Sequence, residues 1–199
     1  VTSTSLIGSK GKVVLNGSGD ILTFLPVTGS GGISNAAVIV GSNGSTLGLD
    51  SLAGGSGYTI YKNGSPASAA ALRRFDVATY SAATNSIIVC DTRVSVYYEN
   101  CAPSPSNPTT ITVLGGTELN VMPSAVGDLS KFKPGQQMTI LLTADGQVAG
   151  AIAAGQGNAV GLVSGGKVRM LCGGSMLALN GSAAESLDGR AVSVSASAR

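Results

Sequence analysis

The chain has 199 residues, of which 43% are hydrophobic and only 11% charged, and 12 basic against 10 acidic side chains leave a formal net charge of +2. Ordinary soluble domains carry roughly 25% charged residues, and no basic cluster here exceeds Arg73-Arg74 and Lys131-Phe132-Lys133, which excludes the concentrated positive footprint of a nucleic-acid binder. His is absent and the three cysteines include no Cys-x-x-Cys, which argues against a zinc site; no apolar run reaches the ~18 residues of a membrane helix.

In chain order, residues 1 to 57 are Gly-rich with short strands. Lys12 to Leu15 and Ile21 to Leu25 flank Asn16-Gly17-Ser18-Gly19-Asp20, a hairpin connection, and Ala36 to Val40 is a third strand closed by Ser42-Asn43-Gly44. No basic-apolar leader opens the chain, and a start at Val1 reads as a processed product or an excerpt. Tyr58 to Lys62 leads into Asn63-Gly64, a pair that favours positive φ. Ala67 to Arg74 holds helix formers but only about two turns, marginal without tertiary contacts.

Three segments repeat one design. Ala71 to Asp91 carries Leu72 and Phe75, a strand from Val77 to Ser81, a polar turn at Asn85 and a strand from Ile87 to Cys90. Asp128 to Ala153 (DLSKFKPGQQMTILLTADGQVAGAIA) carries Leu129 and Phe132 at the same Leu-x-x-Phe spacing, which puts both on one helical face. Pro134-Gly135 ends that turn. Gln137 to Thr143 then alternates, with Met138, Ile140 and Leu142 on one face. Asp145-Gly146 turns the chain into the returning strand Val148 to Ile152. Ala184 to Ser195 has Leu187, Asp188-Gly189 and alternating Ala191 to Val194. Leu72, Leu129 and Leu187 are almost evenly spaced, and Leu114-Gly115-Gly116 recurs at the same interval as Leu171-Cys172-Gly173-Gly174. The shared period of about 58 residues marks a structural repeat; three unrelated hairpins built from the same turn residues are the alternative.

Between these copies, Ser86 to Tyr98 gives strands with Val94, Val96 and Tyr98 alternating. Pro103-Ser104-Pro105-Ser106-Asn107-Pro108 reads as a linker, since prolines cannot sit in a central strand. Thr110 to Leu114 and Thr117 to Val121 form a hairpin. Strands follow at Ala159 to Val163, Lys167 to Leu171 and Ser175 to Asn180. Short strands with turns every 8 to 12 residues predict an all-β fold. Its expected form is two or three small β-barrel or sandwich-like modules with short helical turns, one per repeat. The expected division is 1–102 for the N-terminal module or modules, 103–109 for the linker and 110–199 for the C-terminal modules.

No reactive set emerges. Ser130-Lys131-Phe132-Lys133 fits Ser-x-x-Lys, but its companion motifs are missing and an exposed helical turn explains it. Gly17-Ser18-Gly19-Asp20 resembles one copy of a calcium-binding nonapeptide, which needs tandem copies. Gly155-Gln156-Gly157 and Gly29-Ser30-Gly31-Gly32 lack the features of phosphate loops. Asp91 and Glu99, with Asp50 and Asp76, are the carboxylates available for acid–base work, and no spacing selects a pair. Asn16, Asn43, Asn63 and Asn180 each begin an Asn-Gly-Ser glycosylation sequon at a predicted turn. Cys90 and Cys101 flank a predicted hairpin and suit a disulfide; buried free thiols are the alternative. The expectation is a non-enzymatic chain with no catalytic residue, metal or cofactor.

Tyr58 to Glu99 (YTIYKNGSPASAAALRRFDVATYSAATNSIIVCDTRVSVYYE), Pro103 to Val121 and Asp128 to Ala151 together resemble the β-repeat region of surface proteins of anaerobic Firmicutes that also carry S-layer homology domains. The shared motifs are an x-Asn-Gly-x-Pro-Ala turn, Phe-Asp-Val-x-x-Tyr, Ser-Asn-Pro-Thr before a strand, and Phe-x-x-Gly-x-x-x-x-x-Leu-Leu before an Asp-Gly hairpin. The resemblance implies a secreted, non-catalytic β module in cell-surface or S-layer architecture. It supplies no catalytic residues. The repeat, the low-charge composition and the lack of a reactive set give the expected partners as other copies of the chain, in a lattice or extracellular filament. The wall-anchoring S-layer homology domain is not visible in the chain. A module binding wall polymer or a host ligand, served by the five tyrosines, and a phage virion structural protein are the alternatives from other classes.

Overall fold

The computed structural model describes residues 11–18, 20–26, 33–113, 115–172, 175–182 and 185–195. The expected all-β class is observed: sixteen strands are described, with two short α-helices and a few 3-10 turns. The first two strands, β1 (Gly11–Leu15) and β2 (Ile21–Pro26), form an antiparallel hairpin. The turn is held by Asn16, whose Oδ1 accepts from the Ser18 and Asp20 amides at 2.9 and 2.8 Å.

The remaining strands fall into three successive units. The first unit contains β3 (Ile33–Ile39), α1 (Leu49–Ala53), β4 (Thr59–Lys62), β5 (Ser65–Ala67), β6 (Val77–Ser81) and β7 (Ser86–Cys90), in sheet order β3-β6-β7-β4-β5. The second contains β8 (Arg93–Ala102), β9 (Thr110–Val113), β10 (Thr117–Asn120), α2 (Val126–Leu129), β11 (Gln137–Leu142) and β12 (Val148–Ile152), in order β10-β9-β8-β11-β12. The third contains β13 (Val160–Ser164), β14 (Lys167–Cys172), β15 (Ser175–Ser182) and β16 (Ala191–Ser193), in order β15-β14-β13-β16.

The three share part of one plan. A leading strand is followed by a hairpin, then a helical or 3-10 turn, then a strand that returns antiparallel to the leader: β6 on β3, β11 on β8, β16 on β13. They differ in where the hairpin docks: β9 and β14 pair antiparallel with their leaders, whereas β4 pairs parallel with β7. Leu72 and Leu129 are fully buried at the helical turns, whereas Leu187 in the third unit is 37% exposed. Gly115-Gly116 sits at the tip of β9–β10, and Leu171 and Cys172 of the second marker end β14, with Leu114, Gly173 and Gly174 outside the described residues.

Of the two expected forms, barrel or sandwich-like, the open sheets are consistent with the sandwich-like one, since none of those described closes into a barrel. One expectation needs correction. The Pro-rich segment 103–109 is a hairpin loop within one sheet rather than a linker between modules. Ala102 pairs with Thr110, and the Thr109 amide donates to the Ala102 carbonyl at 2.8 Å. The prolines avoid the ladder by lying wholly in the loop, where the missing amides cost nothing.

The β11–β12 hairpin is central to the packing. Met138, Ile140 and Leu142 face one cluster with Val94, Val96 and Tyr98 of β8, Leu129 of α2, and Met170 and Cys172 of β14. Leu141 faces the other way, into a cluster with Val77 of β6, Met122 and Ala149, flanked by Ile39 and Phe75. The hairpin is thus buried on both faces because a unit packs on each side, and Thr139 and Thr143 on the second face are enclosed along with Leu141. The first unit has its own cluster around Val40, Leu49, Ile60, Leu72, Ile87 and Val89.

After β12 the chain crosses close over β8. A Cβ on Gly157 would lie 2.8 Å from the Ser95 amide nitrogen and 2.9 Å from its Oγ. Gln156 and Gly157 donate their amides to Thr139 Oγ1 and Ser95 Oγ at 3.1 and 3.2 Å, fixing the crossing. Strand backbone cannot yield as a side-chain tip can. Gly157→Ala should therefore lower stability by about 1–3 kcal/mol, read as a drop in the urea midpoint; an unchanged midpoint would mean that the crossing is loose.

Candidate functional site

The residues singled out from sequence do not converge as a catalytic set. Ser130 Oγ donates to the Gly127 carbonyl at 3.0 Å, and Lys131 Nζ to Asp128 Oδ1 at 2.8 Å, so the Ser-x-x-Lys segment is an exposed helical turn. Glu99 accepts from the Gly116 amide at 3.1 Å. Asp50 accepts from Tyr58 Oη at 2.8 Å, and burial together with that carboxylate pushes the Tyr58 phenol upward. Asn16, Asn43 and Asn63 all spend their side chains on turns or neighbouring strands; the Asn180 side chain lies outside the described residues, as does Gly29-Ser30-Gly31-Gly32.

A buried meeting of ionisable groups was not legible from spacing. Lys62, at the end of β4, donates to Asp76 Oδ2 at 2.7 Å and to the Ala71 carbonyl at 3.1 Å, with Asp91 Oδ2 at 3.9 Å. Asp76 is 2% exposed and also accepts from the Arg73 amide at 2.8 Å. The parallel pairing of β4 with β7 delivers Lys62 to the turn that precedes β6. These polar contacts all hold the turn, so the cluster reads as a structural clamp.

Beside it, a cleft of about 120 Å³ is lined by Asn63, Asp91, Thr92, Asn158, Ala159, Val160 and Leu171. Asn63 and Asn158 already bond Asp91: Asn63 Nδ2 to its Oδ1 at 2.9 Å, Asn158 Nδ2 to its carbonyl at 2.8 Å. A larger groove of about 320 Å³, between β8 and β16, is lined by the uncharged Ser95, Val96, Gln137, Ala154, Gly155, Gly157, Ser193, Val194 and Ser195. Neither gathers an acid and a base around a shared volume. Among the described residues no group of three His, Cys, Asp or Glu could hold a metal ion, and no helix is long and apolar enough to cross a membrane.

The expected Cys90–Cys101 disulfide does not form. Cys90 ends β7, and Cys101 lies at the far end of β8, eight residues beyond Arg93, or about 25 Å along a strand. A disulfide requires Cα atoms within about 7 Å. Cys90 instead meets Cys172 of β14, with the Sγ atoms 3.9 Å apart.

The most distinctive surface is the outer face of the third sheet. Along β13 and β14, Gly161, Val163, Met170 and Cys172 point inward, which turns Val160, Leu162 and Leu171 outward at 49, 41 and 52% exposure. Ala191 pairs with Leu162 and Ser193 with Val160 on that same exposed face. Arg169 lies within this face opposite Leu162, and Lys167 opposite Ser164. The alternation of β13 could not identify this face from sequence, because Val and Leu occupy both sides of the strand. No protein-family model, curated protein or solved structure matches the chain.

Proposed function

We propose that the chain is a non-catalytic structural module of a bacterial cell surface, which assembles with copies of itself as part of a surface layer or extracellular filament. The observation that carries this reading is the set Val160, Leu162 and Leu171, three large apolar side chains exposed on one face of two paired strands, with Arg169 opposite Leu162. Burying such a set releases about 25 cal/mol for each Å² of apolar surface. Adjacent exposed apolar side chains on one face are what a contact surface supplies. The low charge content supports it, since little ionic hydration must be removed when faces meet. The resemblance of residues 58–151 to the repeats of S-layer-homology-bearing surface proteins supports the exported location. The three-unit plan adds a scaffold that repeats along the chain.

Sedimentation velocity over a concentration series tests the reading. The wild-type chain should form larger species as concentration rises, and Leu162→Glu together with Leu171→Glu should shift that onset upward by at least tenfold, since two charges would have to be desolvated in the contact. A wild-type chain that stays monomeric to near-millimolar concentration would overturn self-assembly.

A further inference from the structure

We propose that Cys90 and Cys172 are a built disulfide site, which under oxidising conditions covalently pins the third structural unit to the first. The two residues are 0 and 2% exposed, and their sulfurs face each other at 3.9 Å although 82 positions separate them in sequence. The backbones on either side are already tied together: Thr92 Oγ1 donates to the Leu171 carbonyl at 3.2 Å. Cys172 Sγ also contacts the Thr143 carbonyl at 3.1 Å, which fixes its side chain at the end of β11. Forming the bond brings the two sulfurs about 1.9 Å closer, to the ~2.05 Å of a disulfide. Cys101 lies at the opposite end of β8, away from both.

The oxidant is a small-molecule disulfide such as oxidised glutathione. One cysteine, as thiolate, attacks a sulfur of the oxidant, breaks its S–S bond and expels one small thiolate, leaving a mixed disulfide. The second cysteine, as thiolate, attacks the protein sulfur of that mixed disulfide and expels the second small thiolate. The two expelled thiolates take up the two protons that the cysteines lost, and two electrons pass from the protein to the oxidant. Either sulfur can make the first attack, since either can donate in their contact; the Cys172 neighbour and the Thr92 contacts draw the Cys90 thiol down, and the Cys90 neighbour and burial push the Cys172 thiol up. The cleft lined by Asp91, Thr92 and Leu171 lies beside these strand ends, and because neither buried cysteine lines it the first attack follows local opening of the strand ends.

The test uses the full chain, purified reduced and then equilibrated with oxidised glutathione. Trypsin places each cysteine on its own peptide: Cys90 in 75–93, Cys101 in 94–131 and Cys172 in 170–190. The expected result is an intact mass lower by about 2 Da, a 75–93/170–190 cross-link without reductant, and a Cys101 that still alkylates. The midpoint of thermal unfolding should rise on the order of 10 °C, because the closed loop is long. That rise should persist in Cys101→Ser and vanish in Cys172→Ala. Three free thiols after equilibration, a stable glutathione adduct on Cys90 or Cys172, or a cross-link through Cys101 would each overturn the proposal.

Discussion

Asp76→Ala should destabilise the chain by about 3–5 kcal/mol, as removal of one partner of a buried ion pair does. Lys62 Nζ lies 2.7 Å from Asp76 Oδ2, and the two side chains are 16 and 2% exposed. Without the carboxylate, Lys62 keeps only the Ala71 carbonyl and the more distant Asp91, and the Arg73 amide loses its acceptor. That amide belongs to a turn under backbone tension. Phe75 adopts φ 72°, a left-handed conformation that costs a non-Gly residue about 1–2 kcal/mol. It is held there by Asp76 on one side and by its own amide bond to the Val40 carbonyl at 2.8 Å on the other. Equilibrium urea unfolding of Asp76→Ala, Lys62→Met and the double variant Lys62→Met/Asp76→Leu separates the causes. The double variant should recover most of the loss, because no uncompensated charge remains. If it is as unstable as Asp76→Ala, the carboxylate matters through the Arg73 amide and the turn instead of through Lys62.

What could be read from the sequence was local. Alternation around Met138, Ile140 and Leu142 placed a strand where β11 lies, and Asp145-Gly146 turns it, with Gly146 at φ 82°. Asn63 and Asn85, expected at turns, take φ 51 and 44°. Val94, Val96 and Tyr98 are buried on one face of β8 as their spacing implied. The leucine period matched the recurring order of leader, hairpin, turn and returning strand; Leu72 and Leu129 are buried at their turns, and Leu187 is not. What was hidden depends on strands distant in sequence. The parallel pairing of β4 with β7 is set by crossover geometry, so Lys62 reaching Asp76 left no spacing signature. Cys90 meeting Cys172 depends on the third unit folding back onto the first. The prolines at 103–108 carry the composition of a linker and of a hairpin loop alike, and only the pairing of Ala102 with Thr110 distinguishes them.

Leu141→Ala should cost about 2–5 kcal/mol, the range for a buried leucine truncated where its neighbours cannot collapse. Leu141 is 1% exposed and is the β11 side chain that enters the cluster with Val77, Met122 and Ala149. Ile39 closes the same cluster tightly, since its Cδ1 would sit 2.6 Å from a Cβ on Gly150. The substitution therefore opens a gap between the first and second units while leaving the Met138, Ile140 and Leu142 face untouched. Hydrogen exchange read by peptide mass spectrometry shows where the loss is felt. If the units unfold together, amides of β6–β7 and of β11–β12 should lose the same protection free energy, because both report one global opening. If the first unit opens alone, β3, β6 and β7 should lose most of their protection while β8 and β9 keep theirs. The first outcome makes the first and second units one cooperative body, so that a pull on β11–β12 would reach the first unit. The second makes the Leu141 contact a joint that yields before the sheets do.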